Sequence, residues 1–269
     1  DTIKYTQSAD VMFLVQPNHP PATLTRYAND NWTFERMDIT GGPFADSELT
    51  AESTTTITAS ATTGTVTLTA SASIFNANMV DDLIALTHFV DSDYKKGTPS
   101  ANGTNLVVSV LPHSSVYVES FGFWDGNFTL EKYDRLTGQW VKIRSQSGNR
   151  SQNYNLTEEN DSDEITQYRV TSTEFNTDVW SGENEQQRGY ITIQAFGNDY
   201  TGHVLITGYT SATKVTGTVK KQLASTEATK DYQFASWSQK NGFPTCAGFF
   251  EDRLVFAGSK AEPQTFWAS

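Results

Sequence analysis

The chain holds four histidines, His19, His88, His113 and His203, and a single cysteine, Cys246. Nucleophilic hydrolysis needs a serine or cysteine held beside a base, and none of these imidazoles stands near a Gly-x-Ser-x-Gly elbow. His19 falls in an Asn-His-Pro-Pro loop, and the other three fall at strand or helix edges. Cys246 lies in an apolar run and reads as a small buried hydrophobe, because one cysteine forms no intrachain disulfide. Two carboxylates facing each other across a cleft could cut a glycosidic bond. Glu119, Asp125, Glu131 and Asp134 are the acids placed for it, yet a chain with 31 acidic residues puts carboxylates on every solvated strand face. Residues 158–164 carry the oxygen ligands that calcium prefers but lack the glycine and closing glutamate of an EF-hand loop. They read as a solvated loop, and Asp91 and Asp93 are a shorter version of the same. The expectation is therefore a protein with no catalytic residues, no metal and no cofactor.

The rings of Trp124, Tyr133 and Trp140 flank one hairpin. Exposed rings of this kind can stack on sugar faces, so these three are the candidate glycan-binding residues; packing into a core is the competing use of the same rings. Six Asn-x-Ser/Thr tripeptides occur, at Asn31, Asn102, Asn127, Asn149, Asn155 and Asn160. In so Asn-, Ser- and Thr-rich a chain, with no secretion signal, they carry little weight.

Positioning such residues is the task of the elements, and composition bounds what these are. With 37% hydrophobic, 12% aromatic and 19% charged residues the chain folds, and its Thr, Ser, Gly and aromatic content suits strands and tight turns. A net charge of −12 and a pI near 4.7 exclude gripping of a phosphate backbone, which is driven by Lys and Arg. No apolar run is long enough to cross a bilayer as a helix, so no membrane insertion is expected. The two ends read as internal to a longer polypeptide.

Strands are expected at 9–15, 22–27 and 31–39, forming a meander, and then at 105–111, 115–121, 127–134, 139–145, 165–171, 189–196, 203–210 and 213–223. Period-two alternation on both sides of 134–138 marks a hairpin, and 247–257 supplies two strands around Glu251 and Asp252. Residues 146–164 and 174–188 read as long polar loops. One helix is expected over 75–86, where Phe75, Met79, Val80, Leu83 and Leu86 recur at helical spacing behind an Asn76 or Asn78 cap.

The two ends carry a resemblance. The run IKYTQSADVMFLVQPNHPPATLTR at 3–26, followed by Trp32, resembles a stretch of the tail proteins of short-tailed bacteriophages and related prophages. The runs FPTCAGFFEDRLVFAGS at 243–259 and PQTFWAS at 263–269 are similar to a later stretch of the same proteins. The group is tail tubular protein B, or nozzle. The chain departs from the pattern at Gln16, Thr245 and Cys246, and the resemblance covers the middle only as a loose β pattern. It implies β-propeller blades in a ring-shaped tail assembly through which DNA leaves the virion, and it implies no catalytic residues.

The expected fold class is thus all-β, with partial β-propeller blades at the two ends and inserted small β-barrel and β-sandwich domains. Residues 1–45 and 236–269 would be blade-like segments paired in space. Residues 46–111 and 211–235 would complete one small barrel or roll, and 112–210 would be a sandwich inserted into it. The strand at 215–219 should then pair with one from 54–110, and 10–15 should lie beside 247–257; a single continuous sandwich is the competing arrangement. The expected function is a structural part of a phage or prophage tail tube or nozzle, located in the virion tail and made in the bacterial cytoplasm. Its partners would be other tail proteins and, in the full-length protein, copies of itself in a ring, with no sequence-specific nucleic acid. The alternative is a module binding a host-surface glycan through the sandwich.

Overall fold

Between Ser115 and Phe121 every second residue is buried, as it is in Thr65–Ala70 and Thr166–Thr171. That is the period of a strand with one covered face. The structure, a computed structural model, describes residues 2–45, 54–99, 106–150, 152–177 and 188–268. Among these it is all-β, and its helical content is one 3-10 turn, Ala77–Met79.

In chain order the strands are β1 (Lys4–Ser8), β2 (Val11–Gln16), β3 (His19–Ala28), β4 (Asn31–Arg36), β5 (Ile57–Ala59), β6 (Thr65–Ala70) and β7 (Leu83–Val90). Next come β8 (Asp93–Gly97), β9 (Leu106–Val110), β10 (Ser115–Phe121), β11 (Asp125–Asp134), β12 (Gln139–Gly148), β13 (Asn155–Glu159), β14 (Thr166–Thr171), β15 (Phe175–Asn176) and β16 (Tyr190–Ala195). The chain returns through β17 (Asn198–Ser211), β18 (Lys214–Lys221) and β19 (Tyr232–Phe234) to β20 (Cys246–Phe250), β21 (Arg253–Ala257) and β22 (Phe266–Ala268). Two compact units result: Asp1–His88 with Thr201–Ser269, and Phe89–Tyr200.

The first unit has two cores. One fills a six-stranded sheet of order β19-β7-β17-β18-β6-β5. Ile57 of β5 exchanges both backbone hydrogen bonds with Thr229, just ahead of β19, so the sheet curls nearly to closure. Ile57, Leu68, Ile84, Leu86, Ile206 and Val215 fill it, each wholly buried and each stabilising by roughly 1.5–3 kcal/mol. β18 pairs antiparallel with β6, Val215 opposite Leu68 and Gly217 opposite Val66. The other core lies between the meander β1-β2-β3-β4 and the sheet β20-β21-β22. Val15, Trp237, Phe243, Leu254 and Phe256 are buried there, and Phe13 of β2 meets Phe249 of β20 edge to face at 5.7 Å. The segment 10–15 therefore lies beside 247–257 by side-chain packing.

In the second unit the sheets β13-β10-β16-β8 and β12-β11-β14-β9, with β15 added to β11, enclose one core. Val118, Trp124, Phe128, Tyr168, Ile191 and Ile193 occupy it. This is a two-sheet sandwich.

Several expectations need correction. The helix over 75–86 is absent. Asn76 does cap, its side chain accepting from the Asn78 amide, but the turn ends at Met79 and Asp81 takes a φ of +74°. Leu83 to Leu86 are all buried in β7, which is covered on both faces, and a continuous apolar run of that kind has no period to tell strand from helix. The inserted unit runs over 89–200, not 112–210, because β8 pairs with β16 and β9 with β14. By the same token 201–210 belongs to the curled sheet. Residues 146–164 contain β13, whose Leu156 is a core residue, and the loop expected at 174–188 begins with β15; 178–187 lie outside the described residues, as do 46–53, 100–105 and Asn102. The meander has four strands rather than three, since β1 carries no apolar alternation to announce it.

Candidate functional site

The register of the meander sorts its side chains onto two faces. Tyr5, Leu14 and Ala22 stand opposite one another across β1, β2 and β3, and Gln7, Met12, Leu24 and Phe34 form the next row across all four strands. Trp32 opposite Arg26 extends the same face. The opposite face sends Phe13 and Val15 into the core shared with β20-β21-β22. The exposed part of the first face is aromatic, Phe34 being 70% exposed, Tyr5 63% and Trp32 51%, while Ala22 on the same face is buried and Arg36, opposite it, pairs with Asp81. Arg26 leans on this face, its guanidinium paired with Asp10 at 2.6 Å and lying 6.0 Å from the Trp32 ring.

The C-terminal sheet repeats the arrangement. Ala247, Phe256 and Trp267 align on the core face, with Trp267 edge-on to Trp237 at 5.3 Å. Phe250 and Phe266 emerge on the other face, 68% and 73% exposed. Glu251 and Asp252 join β20 to β21 with φ of +48° and +63°, a two-residue hairpin of the primed type. The two sheets therefore form a two-layer stack with aromatic side chains on both outer surfaces. Large aromatic residues exposed together on a sheet face mark a surface that becomes covered.

A cavity of about 370 Å³ opens in the same unit, walled by Pro21, Arg36, Asp81, Lys220, Trp237 and Phe243 among others. Its charges are paired internally, Arg36 with Asp81 at 3.3 Å and Lys220 with Asp38 at 3.4 Å. Beside it Asp82 is buried; burial pushes its carboxyl up to about 7, the Arg36 guanidinium opposes the rise and Asp81 adds to it.

The structure gives each residue singled out by sequence a defined set of neighbours. Trp124 is 1% exposed, stacked on Phe175 at 4.9 Å and tilted against Phe128 at 5.7 Å. It offers no open face to a sugar, and Gly148 makes room for it, since a Cβ there would sit 2.4 Å from its ring. Tyr133 and Trp140 do meet across the β11–β12 hairpin, edge to face at 5.2 Å, but the Arg169 guanidinium lies 4.2 Å above Trp140. Glu131 is bound to Arg169 at 2.6 Å, and Asp125 accepts from the Arg150 amide. Asp134 caps the hairpin loop, and the hydroxyl of Thr137, then the amide of Leu136, hold its carboxyl below the usual range. Glu119 accepts from Asn155 Nδ2 at 2.9 Å.

In the acidic run, Asp161 pairs with Lys132 at 2.5 Å, Glu164 with Arg135 at 2.9 Å and Glu158 with Arg144 at 3.4 Å. At its centre Asn160 is wholly buried, its Nδ2 donating to the carbonyls of Val110, Leu111 and Glu164. No sequence period announces that role. Among the described residues no group of three or more His, Cys, Asp or Glu is placed to hold a metal. His203 is buried against Phe44, its Nδ1–H donating to the Thr40 carbonyl, and burial lowers its pKa. His88 Nε2–H donates to the Glu227 carbonyl and His113 contacts Asp163, while His19 is exposed at the start of β3. Cys246 is half-buried and its thiol points at the Ala257 carbonyl.

No family model and no curated protein matches the chain. Among solved structures it is similar to a mutant of a carbohydrate binding module of family 29, with a TM-score of 0.23 and 8% identity, over 44% of this chain and 92% of the other. It is also similar to a chain from infectious bursal disease virus, Gx strain, with a TM-score of 0.19 and 11% identity, over 87% of this chain and 79% of the other. Scores of this size reflect shared strand content, so what either protein binds or builds is not carried to this chain.

Proposed function

We propose that the chain is a structural part of a bacteriophage or prophage tail and contributes to the tube or nozzle through which DNA leaves the virion. The observation that carries the reading is the two-layer stack of short antiparallel sheets with aromatic residues on both outer faces. A stack whose end faces still expose large aromatic residues is built to be continued on either side, as blades are continued in a propeller. The residues of the phage resemblance, 3–26 with Trp32 and 243–268, supply most of these two sheets. In this reading β1-β2-β3-β4 is one blade and β20-β21-β22 the start of the next, with the curled sheet and the sandwich nested between them.

The partners would be neighbouring tail proteins and, in the full-length protein, copies of itself in a ring. The chain would catalyse nothing, would insert in no membrane, and would work in the virion tail after synthesis in the bacterial cytoplasm. A net charge of −12 suits a wall past which DNA slides, because it repels phosphates. Immunogold labelling of purified virions with antibodies against this chain tests the reading. Gold at the tail is expected, and gold confined to the host-cell fraction would refute it. Trp32→Ser with Phe34→Ser should block incorporation into particles while changing the stability of the isolated chain by only about 0.5 kcal/mol.

A further inference from the structure

The outer face of β13-β10-β16-β8 alternates two kinds of chemistry. Val116, Val118, Leu156, Ile191 and Ile193 point into the sandwich core, so their neighbours in sequence share the other side. The register arranges these in three rows. Thr157, Tyr117, Gln194 and Tyr94 form the first, and Asn155, Glu119, Thr192 and Lys96 the second. Phe121 opposite Tyr190 makes the third. Tyr117 meets Phe196 edge to face at 5.4 Å, and Phe121 stacks with Tyr190 at 5.1 Å and 22°. Tyr94 is 50% exposed and Phe196 55%. The two aromatic rows stand about 13 Å apart, four residues along β10. A row of carboxamide, carboxylate and ammonium, from Asn155, Glu119 and Lys96, separates them, with Thr192 buried between the last two.

We propose that this sheet face binds a neutral polysaccharide, the chain of pyranose rings running along β10 from Tyr117, over Glu119, to Phe121. A pyranose has an apolar C–H face, which stacks on aromatic rings, and a rim of hydroxyls, which both donate and accept. Tyr117 and Phe121 supply the rings at either end. Glu119, oriented by the 2.9 Å hydrogen bond from Asn155, supplies an acceptor between them, and Gln194 supplies a carboxamide beside Tyr117. The central carboxylate disfavours an anionic sugar, and the one ammonium in the middle row, Lys96, is held 3.8 Å above the Tyr190 ring. A protein partner would select a continuous apolar centre depleted of charge, which this banded surface lacks. The site is distinct from Trp124, Tyr133 and Trp140, and the proposal does not rest on the tail reading.

The test is native affinity electrophoresis of the full chain in gels holding a soluble β-1,4-glucan, a mannan or a galactan, with alginate as the anionic comparison. Retardation by at least one neutral polymer and not by alginate is expected. Tyr117→Ala and Glu119→Ala should each weaken it by about tenfold or more, whereas Trp140→Ala should leave it unchanged. Circular dichroism establishes that each variant is folded, and Gln194→Ala provides a further arm if one is not. Retardation by no neutral polymer would overturn the proposal, as would retardation by alginate alone or retardation insensitive to Tyr117, Glu119 and Gln194. So would a chain dimer dispersed by Tyr117→Ala, since a second copy would then cover the face.

Discussion

Asp82 is the residue whose surroundings most change its chemistry. Its folded pKa of about 7 lies above the value of 3.8 expected in water. Between those limits the folded state binds more protons than the unfolded chain, so the contribution of Asp82 to stability grows as pH falls from about 7 towards about 4. Above that window the folded state carries a buried charge. Asp82→Asn should therefore stabilise its unit by about 1–2 kcal/mol near pH 8 and change little near pH 4.5, read as the difference between variant and parent in urea denaturation at each pH. His203 works in the opposite sense. Burial holds its pKa below 6.5, so its contribution is present above that pH and fades below it; taking the difference between variant and parent removes this background. Equal effects of Asp82→Asn at both pH values would show that the carboxyl is ionised as in water.

At the scale of elements, the sandwich depends on how closely β11 approaches the segment leading into β15. Gly126 has a φ of +115°, and a Cβ there would sit 1.9 Å from the Glu174 carbonyl oxygen, which accepts from the Asn127 amide at 2.7 Å. Gly64 has a φ of +73° but nothing within 4 Å of its would-be Cβ. Gly126→Ala is expected to cost about 2–4 kcal/mol, from strain together with the displaced hydrogen bond, and Gly64→Ala about 1 kcal/mol, from backbone strain alone. Equal losses in urea denaturation would mean that the β11–β15 approach contributes nothing. The β11–β12 hairpin was legible in sequence because alternation and a glycine-containing loop are local. The end of the turn at Met79 was not, because residues 83–86 are apolar without a period.

For the whole molecule, the consequential feature is that the chain enters and leaves the sandwich at neighbouring points. The Gly197 amide donates to Ser92 Oγ at 3.0 Å, and Gly197 has no room for a Cβ beside the Val90 carbonyl. A unit with adjacent ends and its own core should fold when excised, so residues 89–200 expressed alone should unfold cooperatively in urea, with a midpoint matching one transition of the full chain. A non-cooperative melt would show that the remainder of the chain is needed. Much about this protein was determined by sequence alone: an all-β chain, an acidic balance, and hairpins at 128–143 and 247–257. All of these rest on period-two alternation, turn chemistry and charge, which are properties of neighbouring residues. Tertiary structure alone decided that Trp124 is core while Tyr117 and Phe121 are surface, that β8 and β9 belong to the sandwich, and that Asn160 is buried among three carbonyls. Those outcomes depend on which strands pair across long stretches of chain, and strand pairing is set by the shape of the whole core, which no local pattern encodes.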